Sequence, residues 1–119
     1  MLHRPLVTFA AAVAVLAAAT SGNAATHKLT AATGPGFTIT LKSAGKPVKT
    51  LKAGTYTIVV SDKSSIHNFH LFGPGVNKKT TVPFTGTQTW TVKLNDGTYT
   101  FQCDIHAATG MKGTVKVTG

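Results

Sequence analysis

The stretch TWTVKLNDGTYTFQC, ending at Cys103, constrains this chain more than any other. Apolar and polar residues alternate through TWTVKL, and the alternation resumes in TYTFQC after Asn95-Asp96-Gly97. A repeat of two is that of an extended strand, whose side chains point in turn to opposite faces. Asn-Asp-Gly between two such runs has the composition of a tight hairpin connection. In the second run Tyr99, Phe101 and Cys103 share one face while Thr98, Thr100 and Gln102 share the other. The aromatic face is the one to bury, so Cys103 enters the interior where the strand ends.

Six further segments read as strands: Lys28 to Ala32, Phe37 to Lys42, Gly54 to Ser61, Ile66 to Phe72, Thr80 to Val82 and Gly113 to Thr118. With Thr87 to Leu94 and Thr98 to Cys103 they make eight. The intervening SAGKP, SDKSS and GPG are made of residues that turn the chain for backbone reasons. Thr, Val and Gly are abundant, the charged fraction is 13% and no long helix-forming run occurs. The expectation is an all-β chain folded as a two-sheet sandwich or barrel. In IHNFHLF, alternation groups His67, Phe69 and Leu71, which we expect to face inward. Ile66, Asn68, His70 and Phe72 then face outward.

The amino terminus reads differently. Met1 to Arg4 are basic, Leu6 to Ala19 carry no charge, and Gly22-Asn23-Ala24 supplies small residues suited to peptidase cleavage. This is the pattern of a secretory signal peptide over residues 1–24. The apolar run is shorter than the roughly 20 residues a membrane span needs. The expected product is one exported domain, residues 25–119, secreted or periplasmic, with no transmembrane segment and monomeric. Loss of Arg4 lowers the net charge from +9 to +8, and there is no glutamate. Such a surface steers acidic partners by long-range attraction, although scattered lysines also serve simply to keep strand edges unpaired. Cleavage after Ala24 would expose Ala25-Thr26-His27, whose amine, amides and imidazole suit square-planar Cu(II) or Ni(II).

A lone cysteine in an exported chain cannot make an internal disulfide, and suggests intermolecular pairing, reactivity or metal ligation. Cys103, His106 and Met111 lie on one loop between two strands, with Gly110 giving room to turn, and IHNF offers a second imidazole. A thiolate, two imidazoles and a thioether form the donor set of a blue-copper centre, in which the thioether is a weak axial ligand. Each residue also has a plainer reading. Free cysteine packs as a small hydrophobe, methionine fills cores, and single histidines are commonly structural.

The segments IHNFHLFGPGV, GTYTFQCDIH and MKGTVKV resemble the cupredoxins, particularly the plastocyanin and pseudoazurin types with their Cys-x2-His-x4-Met loop. The resemblance extends over the chain from Gly34 onward and is most specific in its last third. It implies an eight-stranded Greek-key sandwich or barrel holding one type 1 copper ion. His67, Cys103, His106 and Met111 resemble the family's ligands. Asn68 resembles the residue that ties the two ligand-bearing loops together by hydrogen bonds. This chain has Ile66 where the family often has proline, and an additional histidine, His70, close by.

What the resemblance implies functionally is a small exported one-electron carrier, not an enzyme. Its partners would be redox proteins, acidic ones included, rather than nucleic acid. His106 would lie at the surface within an apolar patch of Ala107, Ala108 and Pro74. Two other classes remain open: a copper-binding or copper-delivery module without a dedicated redox partner, and a metal-free adhesive or structural sandwich.

Overall fold

The structure, a computed structural model, describes residues 27–119; residues 1–24, expected as a signal peptide, and Ala25 and Thr26 lie outside the described residues. The described residues are all β apart from one short 3-10 turn, and among them are ten strands rather than eight. The first sheet runs β3 (Lys46–Pro47), β2 (Ile39–Ser43), β1 (His27–Thr33), β5 (Gly54–Asp62) and β8 (Gly86–Leu94). In the second the order is β4 (Thr50–Lys52), β10 (Lys112–Thr118), β9 (Gly97–Gln102), β6 (His70–Gly73) and β7 (Val76–Lys79). Two neighbouring pairs are parallel, β1 with β5 and β10 with β4, and the other pairs are antiparallel.

Alternation decides which side of each strand is buried. In β5, Tyr56, Ile58, Val60 and Asp62 point inward, and in β8 it is Trp90, Val92 and Leu94. From the second sheet Leu71, Tyr99, Phe101, Val115 and Val117 meet them, forming one core between the sheets. Burying each large side chain of this kind contributes about 1.5–3 kcal/mol. Phe69 stacks on Phe101 with ring centroids 6.0 Å apart and lies 6.1 Å from Trp90, closing the core at the end where Cys103 emerges. Gly113 stands beside the Phe101 ring and Gly73 beside Tyr99, where a Cβ would overlap the rings.

Three expectations are corrected. Asn95-Asp96-Gly97 is not a hairpin: β8 pairs with β5, β9 pairs with β10 and β6, and the connection crosses between sheets. The Tyr99 hydroxyl stabilises that crossing by accepting from Asn95 N at 2.9 Å while donating to Pro74 O at 2.6 Å. Thr80 to Val82 is not a strand; the pairing partner of β6 is Val76–Lys79 instead. His67 to Phe69 are not in a ladder either, because the Phe69 amide donates to the Thr80 hydroxyl at 2.9 Å rather than to a neighbouring strand. The two- and three-residue strands β3 and β4 are too short to carry a period and lie at sheet edges.

Candidate metal centre

Two connections at one end of the sandwich build the site. The first follows β5. Asp62, buried at its end, accepts from Ser64 N at 3.1 Å and from the Thr80 hydroxyl at 3.1 Å. Thr80 also donates its amide to Phe69 O at 3.0 Å, and its carbonyl accepts from the Asn68 side chain at 3.2 Å. Burial pushes the Asp62 carboxyl up, against the lowering by the Ser64 amide, the Thr80 hydroxyl and the charge of His67. Together these bonds fix the backbone on either side of His67. The second connection joins β9 to β10. Cys103 N donates to Met111 O at 3.0 Å, while His106 O accepts from Thr109 N, Met111 N and the Thr109 hydroxyl at 3.0, 3.2 and 2.9 Å. Gly110, with φ of 100°, supplies the left-handed conformation that lets so short a loop close.

Asn68 joins the two connections. Its Nδ2 donates to Asp104 Oδ2 at 2.9 Å, and its Oδ1 accepts from Asp104 N at 2.8 Å. The outward orientation expected for Asn68 is thus corrected: it is 2% exposed, since residues outside a ladder need not alternate. Asp104 also receives bonds from Gln102 at 3.0 Å and His70 at 2.7 Å, and His70 reaches Asn77 at 2.6 Å. Burial would raise the Asp104 carboxyl, but the bonds from Gln102, Asn68 and His70, with the charge of His70, lower it to about 2.

These restraints bring His67, Cys103 and His106 together. Among the described residues, theirs is the one group of three or more His, Cys, Asp or Glu donors gathered within 4.8 Å. The two Nδ1 atoms are 3.0 Å apart, and Cys103 Sγ lies 3.7 Å from His67 Nδ1 and 3.6 Å from His106 Nδ1. His67 and Cys103 are buried at 1% and 0% exposure, and His106 is half-buried. Met111, 3% exposed, immediately precedes the return strand, its backbone bonded to Cys103 and His106. His70 faces Asp104 and stands outside the group.

The donor set fits a soft-to-borderline metal ion. Bonds of about 2.0 Å to imidazole and about 2.3 Å to thiolate, if spread evenly around one ion, would set sulfur and nitrogen about 3.7 Å apart and the two nitrogens about 3.5 Å apart; the sulfur–nitrogen edges are 3.6 and 3.7 Å, while the nitrogens are closer, at 3.0 Å, and would have to separate slightly to admit the ion. Two imidazole nitrogens facing each other across 3.0 Å repel unless a proton or cation lies between them.

One expected neighbour is misplaced. Pro74 sits at the opposite end of β6, its carbonyl bonded to Tyr99 and its ring against Gly97, away from the site. The exposed large apolar residues among those described are instead Phe37, Ile66 and Ile105 at 68%, 56% and 56%. Ile66 and Ile105 each immediately precede one of the clustered histidines. Phe37 packs against both imidazoles and was not singled out from sequence as a site residue; the turn-forming GPG before it was the available signal.

The chain belongs to the cupredoxin-like family, whose domain matches residues 7–117. The family's cofactor is one copper ion, and His67, Cys103 and His106 form the candidate ligand group for it. Among solved structures, reduced rusticyanin is similar over 76% of this chain and 77% of its own, at 26% identity and a TM-score of 0.58. Rusticyanin from Thiobacillus ferrooxidans matches over 76% of this chain and 75% of its own, at 28% identity and a TM-score of 0.51. A multi-copper oxidase from Pediococcus acidilactici shares the fold alone, at 18% identity, a TM-score of 0.51, and 81% of this chain against 26% of its own. No curated protein sequence matches.

Proposed function

We propose that the protein is an exported one-electron carrier with a single type 1 copper centre that His67, Cys103 and His106 would hold, Met111 supplying a thioether as the fourth, weaker ligand. The convergence of two Nδ1 atoms and one Sγ on a common point carries this reading. A bound copper ion supplies a Cu(I)/Cu(II) couple, soft sulfur suiting the reduced form and imidazole the oxidised one.

The protein's part is to hold the donors still and to admit a partner. Asn68 and Asp104 fasten the His67 connection to the Cys103 loop, a supporting role of the kind that orients ligands. His106, half-buried, is the reading's electron entry and exit. Ala107 and Ala108 follow it directly, and Phe37, Ile66 and Ile105 add apolar surface next to the histidines. Brief redox encounters bury less than about 1,200 Å², so a small patch is adequate and release is fast. The excess of lysine steers an acidic redox partner towards it. Residues 1–24 act as the leader in this reading, leaving a monomeric domain of residues 25–119 outside the cytoplasm, with electron transfer rather than bond-making as its task.

Spectroelectrochemical titration of the copper-loaded protein tests the proposal. A reversible one-electron wave with one copper per chain, and fast electron self-exchange between oxidised and reduced protein by NMR line broadening, is expected. Copper bound without a reversible wave, or with slow self-exchange, would point to storage or delivery and refute the carrier reading.

A further inference from the structure

Phe37 leaves 68% of its surface in solvent, yet its ring stands edge-on to both clustered imidazoles, with centroids 5.3 Å from His67 and 5.0 Å from His106 at interplanar angles of 67° and 89°. A lone exposed apolar side chain needs no explanation. One held against both histidines of a candidate metal centre does. Its place is set by the β1–β2 connection and not by core packing. Gly34 N donates to Thr38 O at 2.8 Å, and the Thr38 hydroxyl donates to Pro35 O at 3.0 Å, closing the turn. Gly34 and Gly36 both adopt φ of 73°, a left-handed conformation that favours glycine. At Gly34 a Cβ would approach Ser64 Cβ to 3.1 Å, so glycine lets this turn abut the segment leading to His67. Lys63 N, donating to Thr33 O at 2.9 Å, ties the two connections together.

We propose that Phe37 is a positioning residue of the centre: it holds the planes of His67 and His106 and screens the donor group from small anions in solvent. This rests on the copper reading above. Edge-to-face contacts between rings are attractive and directional, so one phenyl ring touching two imidazoles restrains both rotations. Largely in solvent itself while touching both rings, it also offers an approaching anion an apolar surface with no hydrogen-bond donor, which is costly for a charged group to cross. The other elements of the site cannot do this, because Asn68 and Asp104 act on the backbone of the loops and leave the outer imidazole faces alone.

The test compares wild type, Phe37→Leu and Phe37→Ala. Copper-loaded samples are titrated with azide while thiolate-to-copper absorption and EPR are followed; metal-free samples are treated with iodoacetamide and Cys103 alkylation is read by mass. The wild-type spectrum is expected to resist azide. Phe37→Ala loses its blue band as azide is added, Phe37→Leu responds in between, and metal-free Phe37→Ala is alkylated faster than wild type at an unchanged unfolding midpoint. Equal azide responses and equal alkylation rates overturn the proposal while the copper reading stands. Faster alkylation accompanied by a matching drop in the unfolding midpoint assigns Phe37 to stability only and also overturns it. A wild type without a thiolate-to-copper band overturns both.

Discussion

Replacing Asn68 by alanine removes the clasp between the two connections of the site, and the structure gives its size. Three hydrogen bonds are lost: to Asp104 Oδ2 at 2.9 Å, to Thr80 O at 3.2 Å and from Asp104 N at 2.8 Å. Neutral bonds contribute about 0.5–1.5 kcal/mol each and one to a carboxylate about 1.5–3 kcal/mol. Because Asp104 is about one-third exposed, water replaces part of what it loses, and the net cost is about 3 kcal/mol rather than the full total. For a domain of this length that corresponds to a fall in Tm of roughly 12–24 °C. Urea denaturation and thermal melting of metal-free wild type and Asn68→Ala measure it. A loss below about 1 kcal/mol would show that the loops are held by other means, and the account of Asn68 would be wrong. Asn68→Asp sharpens the test, since it sets a second carboxylate against Asp104. Like charges raise the folded pKa of one of the pair, so this variant recovers stability relative to wild type as pH falls from neutral, whereas Asn68→Ala keeps its deficit until Asp104 itself titrates below about pH 4.

Other expectations follow from the same geometry. The Asp104 carboxyl is lowered from 3.8 to about 2 in the folded state, so its contribution is present above about pH 4 and is lost as pH falls towards 2; denaturant midpoints should drop through that window, and Asp104→Asn should start lower and lack that slope. Gly113→Ala forces a methyl group against the Phe101 ring and should cost about 1–3 kcal/mol by overpacking, read from urea midpoints; an unchanged midpoint would show that the ring has room to move. Electron exchange with an acidic redox partner should slow as ionic strength rises, because screening shortens the reach of the lysines; a stopped-flow rate independent of salt refutes steering.

The last third of the chain was legible because a single ladder governs it. Tyr99 and Phe101 alternate inward along β9, Cys103 continues the alternation just past its end, and Met111 immediately precedes the returning β10. Both strands are long enough for a period of two to show. The His67 segment was legible only in part. Its histidine, Phe69 and Leu71 are buried as the alternation suggested, but Asn68 is buried with them because Thr80 and Asp104 hold that segment by side-chain bonds. Local alternation cannot register partners 12 and 36 residues away. The same limit explains the misread Asn95-Asp96-Gly97: its composition suits a tight turn, but whether that turn stays within one sheet depends on which strands β8 and β9 find. Pro74 follows β6 away from the site, and Phe37 is delivered to it by a loop, neither of which leaves a periodic mark in the sequence.

The electron-carrier proposal requires the Cys103 thiolate to bind copper beside two imidazoles. Visible absorption and EPR spectra of the protein with one equivalent of Cu(II), recorded with those of Cys103→Ser, test it most directly. The wild type is expected to show an intense blue band and small copper hyperfine splitting, both absent from the variant. A pale spectrum that Cys103→Ser leaves unchanged would place the copper elsewhere, with Ala25-Thr26-His27 the next position to test, and would contradict the electron-carrier reading.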